Sequence, residues 1–273
     1  MSPATSANAS VSGVLPTNGQ RDRRHTIELF DLYKSFNGTP VLNGLSAGFA
    51  DDAITTVLGP SGTGKSVLLK HVVGLLEPDE GEVRVFGQDI WKLKKDARYE
   101  IRKRFGVLFQ DGALFGSMNL YDNVAFPLRK HTEKSEAEIR EIVMDLLREV
   151  GLEQATDKEP NEISGGMRKR AGFARALVLQ PDVVMFDEPD SGLDPVRTKL
   201  LCRLIRKVHE QHGGTYVVIT HDIASAHFLS DYIGMLWKGK MVHYGPAATA
   251  FDSEDPFVRQ FLAGEPDGPL GME

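Results

Sequence analysis

Ile54-Thr-Thr-Val-Leu58 runs without a break into Gly59-Pro60-Ser61-Gly62-Thr63-Gly64-Lys65-Ser66. The first five residues read as a buried strand. The next eight match Gly-x-x-x-x-Gly-Lys-Ser at every fixed position, and a helical pattern follows them. Glycines at this spacing let successive backbone N–H groups curl around the β- and γ-phosphates of a nucleotide, while the following helix presents its positive end. Lys65 then neutralises phosphate charge and Ser66 can ligate Mg²⁺. The chemistry implied is ATP held with Mg²⁺ at the end of a strand, in an α/β fold.

Further along, Val183-Val-Met-Phe186 leads into Asp187-Glu188-Pro189. Two carboxylates thereby stand at the end of a second buried strand, where open α/β sheets bind ligands. Asp187 suits the Mg²⁺ shell, and Glu188 suits polarising the water that attacks the γ-phosphate. Gln110 ends the apolar segment Phe105–Phe109 and suits a sensor of Mg²⁺ and the γ-phosphate. His221 closes the strand Tyr216–Thr220, from which a neutral imidazole could contact the γ-phosphate.

The rest of the pattern frames these residues. Residues Met1 to about Gln20 are rich in Ser, Ala, Asn, Thr and Gly and are expected to be a disordered tail; Arg21–His25 is a short basic linker, so the tail as a whole covers 1–25. Short β-rich segments at Thr26–Tyr33, Gly44–Phe49 and Gly81–Phe86 are expected to join Ile54–Leu58 in a mixed sheet around the loop. A section over about 111–165 has little strand signal and carries a helix over Ser135–Val150, with apolar residues at Ile139, Ile142, Val143, Leu146 and Leu147. After it, helices at Gly166–Leu179, Pro195–Gln211 and Ile223–Leu229 alternate with strands at Val183–Phe186, Tyr216–Thr220 and Tyr232–Trp237, which argues for a parallel sheet. Lys240–Tyr244 reads as a hairpin strand and Asp255–Leu262 as a last helix. One domain over 26–246 is expected, with residues 247–273 as a C-terminal extension.

Composition excludes several classes. With 32 basic and 38 acidic residues the net charge is −6, which gives no electrostatic reason to expect a nucleic-acid partner. Cys202 is the one cysteine, so no internal disulfide framework exists; it falls at an apolar position of a helical pattern, in keeping with a reducing cytoplasm. No run approaches the roughly 20 apolar residues that cross a bilayer. The expectation is a cytoplasmic protein unless another chain holds it at a membrane.

The order phosphate loop, Gln110, Ser164-Gly165-Gly166, Asp187-Glu188, Ser191-Gly192-Leu193-Asp194 and His221 resembles the ATP-binding cassette (ABC) ATPases, over about Thr26 to Tyr244. The resemblance implies a nucleotide-binding domain with a RecA-like phosphate-loop core, an antiparallel β subdomain and an α-helical subdomain. It implies that two copies close head to tail on ATP, with Ser164, Gly165 and Gly166 of one capping the γ-phosphate held by Lys65 of the other. Asp194 would lie along the seam. The aromatic that stacks on adenine would be Phe36, or alternatively Tyr33.

The chain departs from the common Leu-Ser-Gly-Gly-Gln at Met167, in Ile163-Ser-Gly-Gly-Met-Arg-Lys-Arg170. Together with Gln110-Asp-Gly-Ala-Leu-Phe115, Asn123-Val-Ala-Phe-Pro-Leu-Arg129, Asp187-Glu-Pro-Asp-Ser-Gly-Leu-Asp-Pro-Val-Arg-Thr198 and Val258-Arg-Gln-Phe-Leu262, this looks like the ATPases of Mce and Mla lipid transporters, in particular the actinobacterial Mce-associated (MceG or Mkl) type. That likeness implies a peripheral subunit on the inner face of the membrane, driving import of fatty acids, sterols or phospholipids through a permease, with Mce-type substrate-binding proteins as indirect partners. Phe115 and Tyr121 are expected to be an exposed pair that meets the permease. The tail after residue 247 is expected to pack either on its own domain or on the second copy. Another importer's ATPase shares every catalytic residue; a soluble ABC ATPase of DNA repair or translation is opposed by the single cassette and the absence of heptads.

Overall fold

The computed structural model describes residues 25–265 and 267–270; the expected tail over 1–20 and the arginines of the basic linker lie outside the described residues. Strand β1 (His25–Phe36) turns back through Asn37-Gly38 into β2 (Thr39–Ala50). These two residues have φ of +50° and +80°, the left-handed pair that lets a two-residue hairpin match the twist of its strands. Both strands therefore run to the hairpin tip, beyond the expected ends at Tyr33 and Gly44. Next come β3 (Ile54–Leu58) and α1 (Lys65–Val72), bracketing the glycine loop, then β4 (Glu80–Val85), β5 (Gln88–Asp89), α2 (Lys95–Lys103) and β6 (Phe105–Leu108).

The middle section holds α3 (Leu120–His131) and α4 (Glu136–Glu149), with two short 3₁₀ turns before α5 (Gly165–Leu177). Helix α4 starts on a capping box, in which Ser135 and Glu138 each bond the other's backbone N–H, and it buries Ile139, Val143 and Leu147 at helical spacing. After α5 the alternation is regular: β7 (Val183–Asp187), α6 (Pro195–His212), β8 (Thr215–Ile219), α7 (Ile223–Leu229), β9 (Tyr232–Trp237) and β10 (Lys240–Pro246). Two helices, α8 (Ala247–Phe251) and α9 (Pro256–Ala263), complete the described chain.

The strands form two sheets. The β-rich pattern alone joined them in one mixed sheet, whereas the family resemblance implied a separate antiparallel β subdomain, and the two-sheet arrangement is the one found. An antiparallel sheet has the order β2-β1-β4-β5, and a second has the order β10-β9-β3-β8-β7-β6. In the second, β3 pairs in parallel with β8 and β9, and β7 with β6 and β8; β10 alone is antiparallel. Both faces of its centre are covered, which explains strands without polar alternation. Met185, Val217 and Ile219 point into a core shared with α1 and the antiparallel sheet, while Val184, Phe186, Tyr216 and Val218 point into a core shared with α5, α6 and the helical section. The sheet thus divides two hydrophobic clusters that its own alternating side chains fill.

Contact between α5 and the sheet is close. A Cβ at Gly106 on β6 would stand 2.2 Å from the carbonyl oxygen of Ala176, so glycine is required there. The C-terminal segment packs on its own chain: Ala247, Ala250, Phe251, Phe261 and Leu262 join Leu58, Ala226 and Ile233, and the buried Leu270 donates its N–H to Gln260 Oε1 at 2.8 Å. Phe173 on α5 is fully buried, with its ring 5.3 Å from that of Phe186. Phe173→Ala is expected to cost about 3–5 kcal/mol of stability, read by denaturant unfolding.

Candidate nucleotide site

The glycine loop occupies the carboxyl end of β3, beside the ends of β8 and β7. Gly59 has φ +156°, and a Cβ on it would lie 2.3 Å from the Leu236 carbonyl oxygen on β9; glycine is the residue that leaves the sheet at this angle. Gly64, at φ +100°, precedes α1 with no side chain capping the helix, which leaves first-turn N–H groups available to an anion. Lys65 is buried, and its ammonium donates to the carbonyls of Gly59 at 2.6 Å and Pro60 at 2.9 Å, so the lysine is folded over its own loop. Burial lowers its pKa, against the opposing pull of the Glu188 and Asp187 carboxylates. Thr63 braces the loop by donating to Pro60 O at 2.9 Å.

Ser66 and Asp187 meet across the elements that carry them, Ser66 Oγ donating to Asp187 Oδ1 at 3.0 Å. Burial raises the Asp187 pKa, countered by the Ser66 bond and by Lys70 and Lys65. Among the described residues no cluster of three or more His, Cys, Asp or Glu could hold a metal. A hydroxyl beside one carboxylate fits a hard ion such as Mg²⁺, which keeps its waters and takes other oxygens from phosphate.

Glu188 lies one residue beyond β7 at φ +47°, a left-handed conformation that is strained for glutamate. Its N–H donates to Ile219 O at 2.8 Å, and its Oε1 stands 3.4 Å from His221 Nδ1. Gln110, just past β6, donates to Ser191 Oγ at 3.1 Å. The structure therefore gathers Ser66 with Asp187, Glu188 with His221, and Gln110 with the loop after β7. Phe36 and Tyr33 are both about two-fifths exposed, at 42% and 41%. Tyr33 lies over Gly44 on its own sheet, where a Cβ would come within 2.9 Å of the phenol oxygen, and Phe36 sits at the hairpin tip.

Ser164 caps α5, accepting from Met167 N at 3.3 Å, and Asp194 caps α6, accepting from the N–H groups of Val196 and Arg197 at 3.0 Å each. Those N–H bonds hold the Asp194 carboxyl below its ordinary range. Gly165 and Gly166 differ from Gly59. Neither has a positive φ, and a Cβ on either would meet its nearest neighbour at 3.7 Å, an ordinary contact. Among the described residues nothing requires glycine at 165 or 166. Met167 packs against the core of the helical section, which accounts for an apolar side chain there.

Two residues at the site escaped the sequence reading. Lys169 on α5 is buried and donates to the carbonyls of Ser191 and Glu188. Asp190 is buried, its pKa raised by that burial, and it accepts the Thr220 hydroxyl at 2.7 Å. For Lys169 a signal existed: it shares the helical face of Gly172 and Phe173 at i+3 and i+4. In the middle section, Phe115 is exposed as expected, but Tyr121 packs against the helical core. The partner of Phe115 is the exposed Phe126, their ring centroids 5.1 Å apart. Asn123 holds their geometry, bonding Phe115 N and O at 2.8 and 3.1 Å from a fully buried amide.

The family model described as ABC transporter matches residues 42–191. The chain belongs to that family. As an ABC ATPase it binds and hydrolyses ATP, and it is the ATP-binding subunit of a transporter. It is 52% identical to the probable ribonucleotide transport ATP-binding protein mkl of Mycobacterium leprae over 246 residues, covering 90% of this chain and 71% of the relative. It is 45% identical to the intermembrane phospholipid transport system ATP-binding protein MlaF of Haemophilus influenzae over 217 residues, covering 80% and 82%. Among solved structures, the dimeric post-hydrolysis state of the ATP-binding cassette MJ0796 bound to ADP and Pi matches with a TM-score of 0.75 at 29% identity, covering 81% of this chain and 98% of that one. Among the described residues of this cassette no helix is long and apolar enough to cross a membrane.

Gly166→Ala separates the needs of the cassette's fold from those of its chemistry. Its unfolding midpoint is expected to stay level or rise slightly, because alanine gains up to about 1 kcal/mol over glycine in a helix. ATP turnover is expected to fall at least about tenfold if backbone must approach phosphate there. Unchanged turnover would remove the phosphate role from this turn.

Proposed function

We propose that two copies of this chain bind two ATP molecules across a shared interface and, on closing, drive a membrane permease that imports lipid. The observation that carries the shared site is the pair Gly165 and Gly166, small residues that packing among the described residues does not need. In this reading Ser164, Gly165 and Gly166 of one copy meet the γ-phosphate held by the loop of the other, and Asp194 lies at the seam. A closed pair explains why the turn is open within one chain.

Within each site, Lys65 and the N–H groups from Gly59 to Ser66 bind phosphate, and Phe36 stacks on the base. Ser66, Asp187 and Gln110 would hold Mg²⁺, which when bound neutralises phosphate charge. Glu188 orients the attacking water and accepts its proton character as the bond to phosphorus forms. His221, within 3.4 Å of Glu188, fixes the carboxylate and reaches the γ-phosphate side. The exposed ring pair Phe115 and Phe126 is the permease contact.

Lipid as cargo is supported by the likeness to MlaF, which is named for phospholipid transport. The name of mkl favours a second reading, a ribonucleotide importer with the same motor. The motor's residues do not touch cargo in either case, so selectivity resides in the permease and its binding proteins. Copurification of the chain with its permease, followed by extraction and mass analysis of the bound cargo, decides between them: lipid is expected, and ribonucleotide overturns the lipid reading.

Glu188→Gln tests the hydrolytic assignment. The variant is expected to keep ATP binding, to lose turnover by at least about a thousandfold, and to accumulate as an ATP-bound dimer by light scattering. Wild-type turnover would end the assignment.

A further inference from the structure

The turn after β7 is gripped from three directions. Gln110 holds the Ser191 hydroxyl at 3.1 Å. Thr220, the residue before His221, gives its hydroxyl to the buried Asp190 at 2.7 Å and accepts the N–H of Asp222 at 2.9 Å. From α5, Lys169 donates to Ser191 O and, at 3.4 Å, to Glu188 O. Those two carbonyls belong to one tight turn, closed by Ser191 N–H to Glu188 O at 3.2 Å. Lys169 is only 5% exposed, so its side chain is committed to this contact rather than to solvent.

Glu188 needs such a grip. Its left-handed φ of +47° is unfavourable for a residue with a Cβ, and it persists only where neighbours over-determine it. On one side, the N–H is held by Ile219 of β8; on the other, the carbonyl is held by Lys169. We propose that Lys169 is a positioning residue: from the helix that Ser164 caps it sets the Glu188–Ser191 turn, and with it the direction of the Glu188 carboxylate. The same side chain makes α5 a strut between the turn capping one ATP and the carboxylate acting on another. A displacement at Ser164 is thereby felt at Glu188 of the same copy, which links the two shared sites. This rests on Glu188 being the group that orients water.

Charge is not what the contact requires. Burial lowers the Lys169 pKa, opposed by Asp190, Asp111 and Glu188, and both the amine and the ammonium donate hydrogen bonds. A neutral donor of similar length therefore suffices, and glutamine and methionine make a shape-matched pair that differs in having one.

The test measures Mg-ATP turnover of the full chain bearing Lys169→Met, Lys169→Gln or Glu188→Gln, with unfolding midpoints recorded alongside. Lys169→Met is expected to lower kcat at least about tenfold with KM for ATP within about threefold, whereas Lys169→Gln keeps kcat within about threefold of the parent. Equal turnover in the Met and Gln variants overturns the proposal. So does a Met variant whose KM rises as kcat falls, since that assigns Lys169 to the fold. An inactive Glu188→Gln beside a fully active Lys169→Met defeats the lysine proposal alone; an active Glu188→Gln defeats the reading of Glu188 beneath it.

Discussion

Parallel pairing of β3, β8 and β7 is the constraint on which the site depends. Parallel strands in register end together, so Leu58, Ile219 and Asp187 arrive at one edge of the sheet, and the loops that follow them share that edge. Gly59 follows β3 and Glu188 follows β7, while on β8 the buried Thr220 is tied to Asp190 and His221 comes next. No long-range search is needed to bring the phosphate loop, the two carboxylates and the histidine together; the backbone ladder does it. The apolar burial on both faces of these strands is what keeps the ladder in register.

A second device works on top of the ladder. Helix α5 fixes the loops around it through cationic side chains that donate to backbone carbonyls: Arg168 to Ile163, Arg170 to Val150 and Gly151, Arg175 to Gly112 and Ala113, and Lys169 to the turn after β7. Carbonyls at loop ends lack ladder partners, and charge-assisted donors satisfy them where an apolar helix could not. The helix therefore has a double nature. Phe173 and Ala174 anchor it in the core, and its basic side chains hold the irregular backbone that carries chemistry.

Much of this was legible in the sequence, because strong local rules govern it. The glycine loop, the Asp-Glu pair after an apolar run and the βα alternation each have one dominant physical cause. What was not legible depended on packing. Helix α2 buries only Ile101, so it lacks the apolar stripe that announces a helix. Tyr121 and Phe126 are both aromatic residues in one helix, and only the helix's rotation tells which faces solvent. Lys169 shares a helical face with Phe173, but between Arg168 and Arg170 that signal is masked by a run that reads as solvated, and it is the close approach of α5 to β6 and the following turn that turns it inward. The extra length of β1 and β2 was written in Asn37-Gly38, whose left-handed preference extends a hairpin to its tip.

The left-handed backbone at Glu188 separates conformation from chemistry at that position. Its shape is imposed by hydrogen bonds to the peptide on either side, so a change of side chain that keeps those bonds yields a subunit that still folds. Under the shared-site arrangement, such a subunit still offers a sound capping turn to a normal copy while contributing a dead site of its own. A cell making both forms would assemble mixed pairs, and with random pairing about half of all dimers would be hybrids when the two forms are equally abundant. Damage at this one residue would then spread by assembly, as a dominant defect rather than a recessive one.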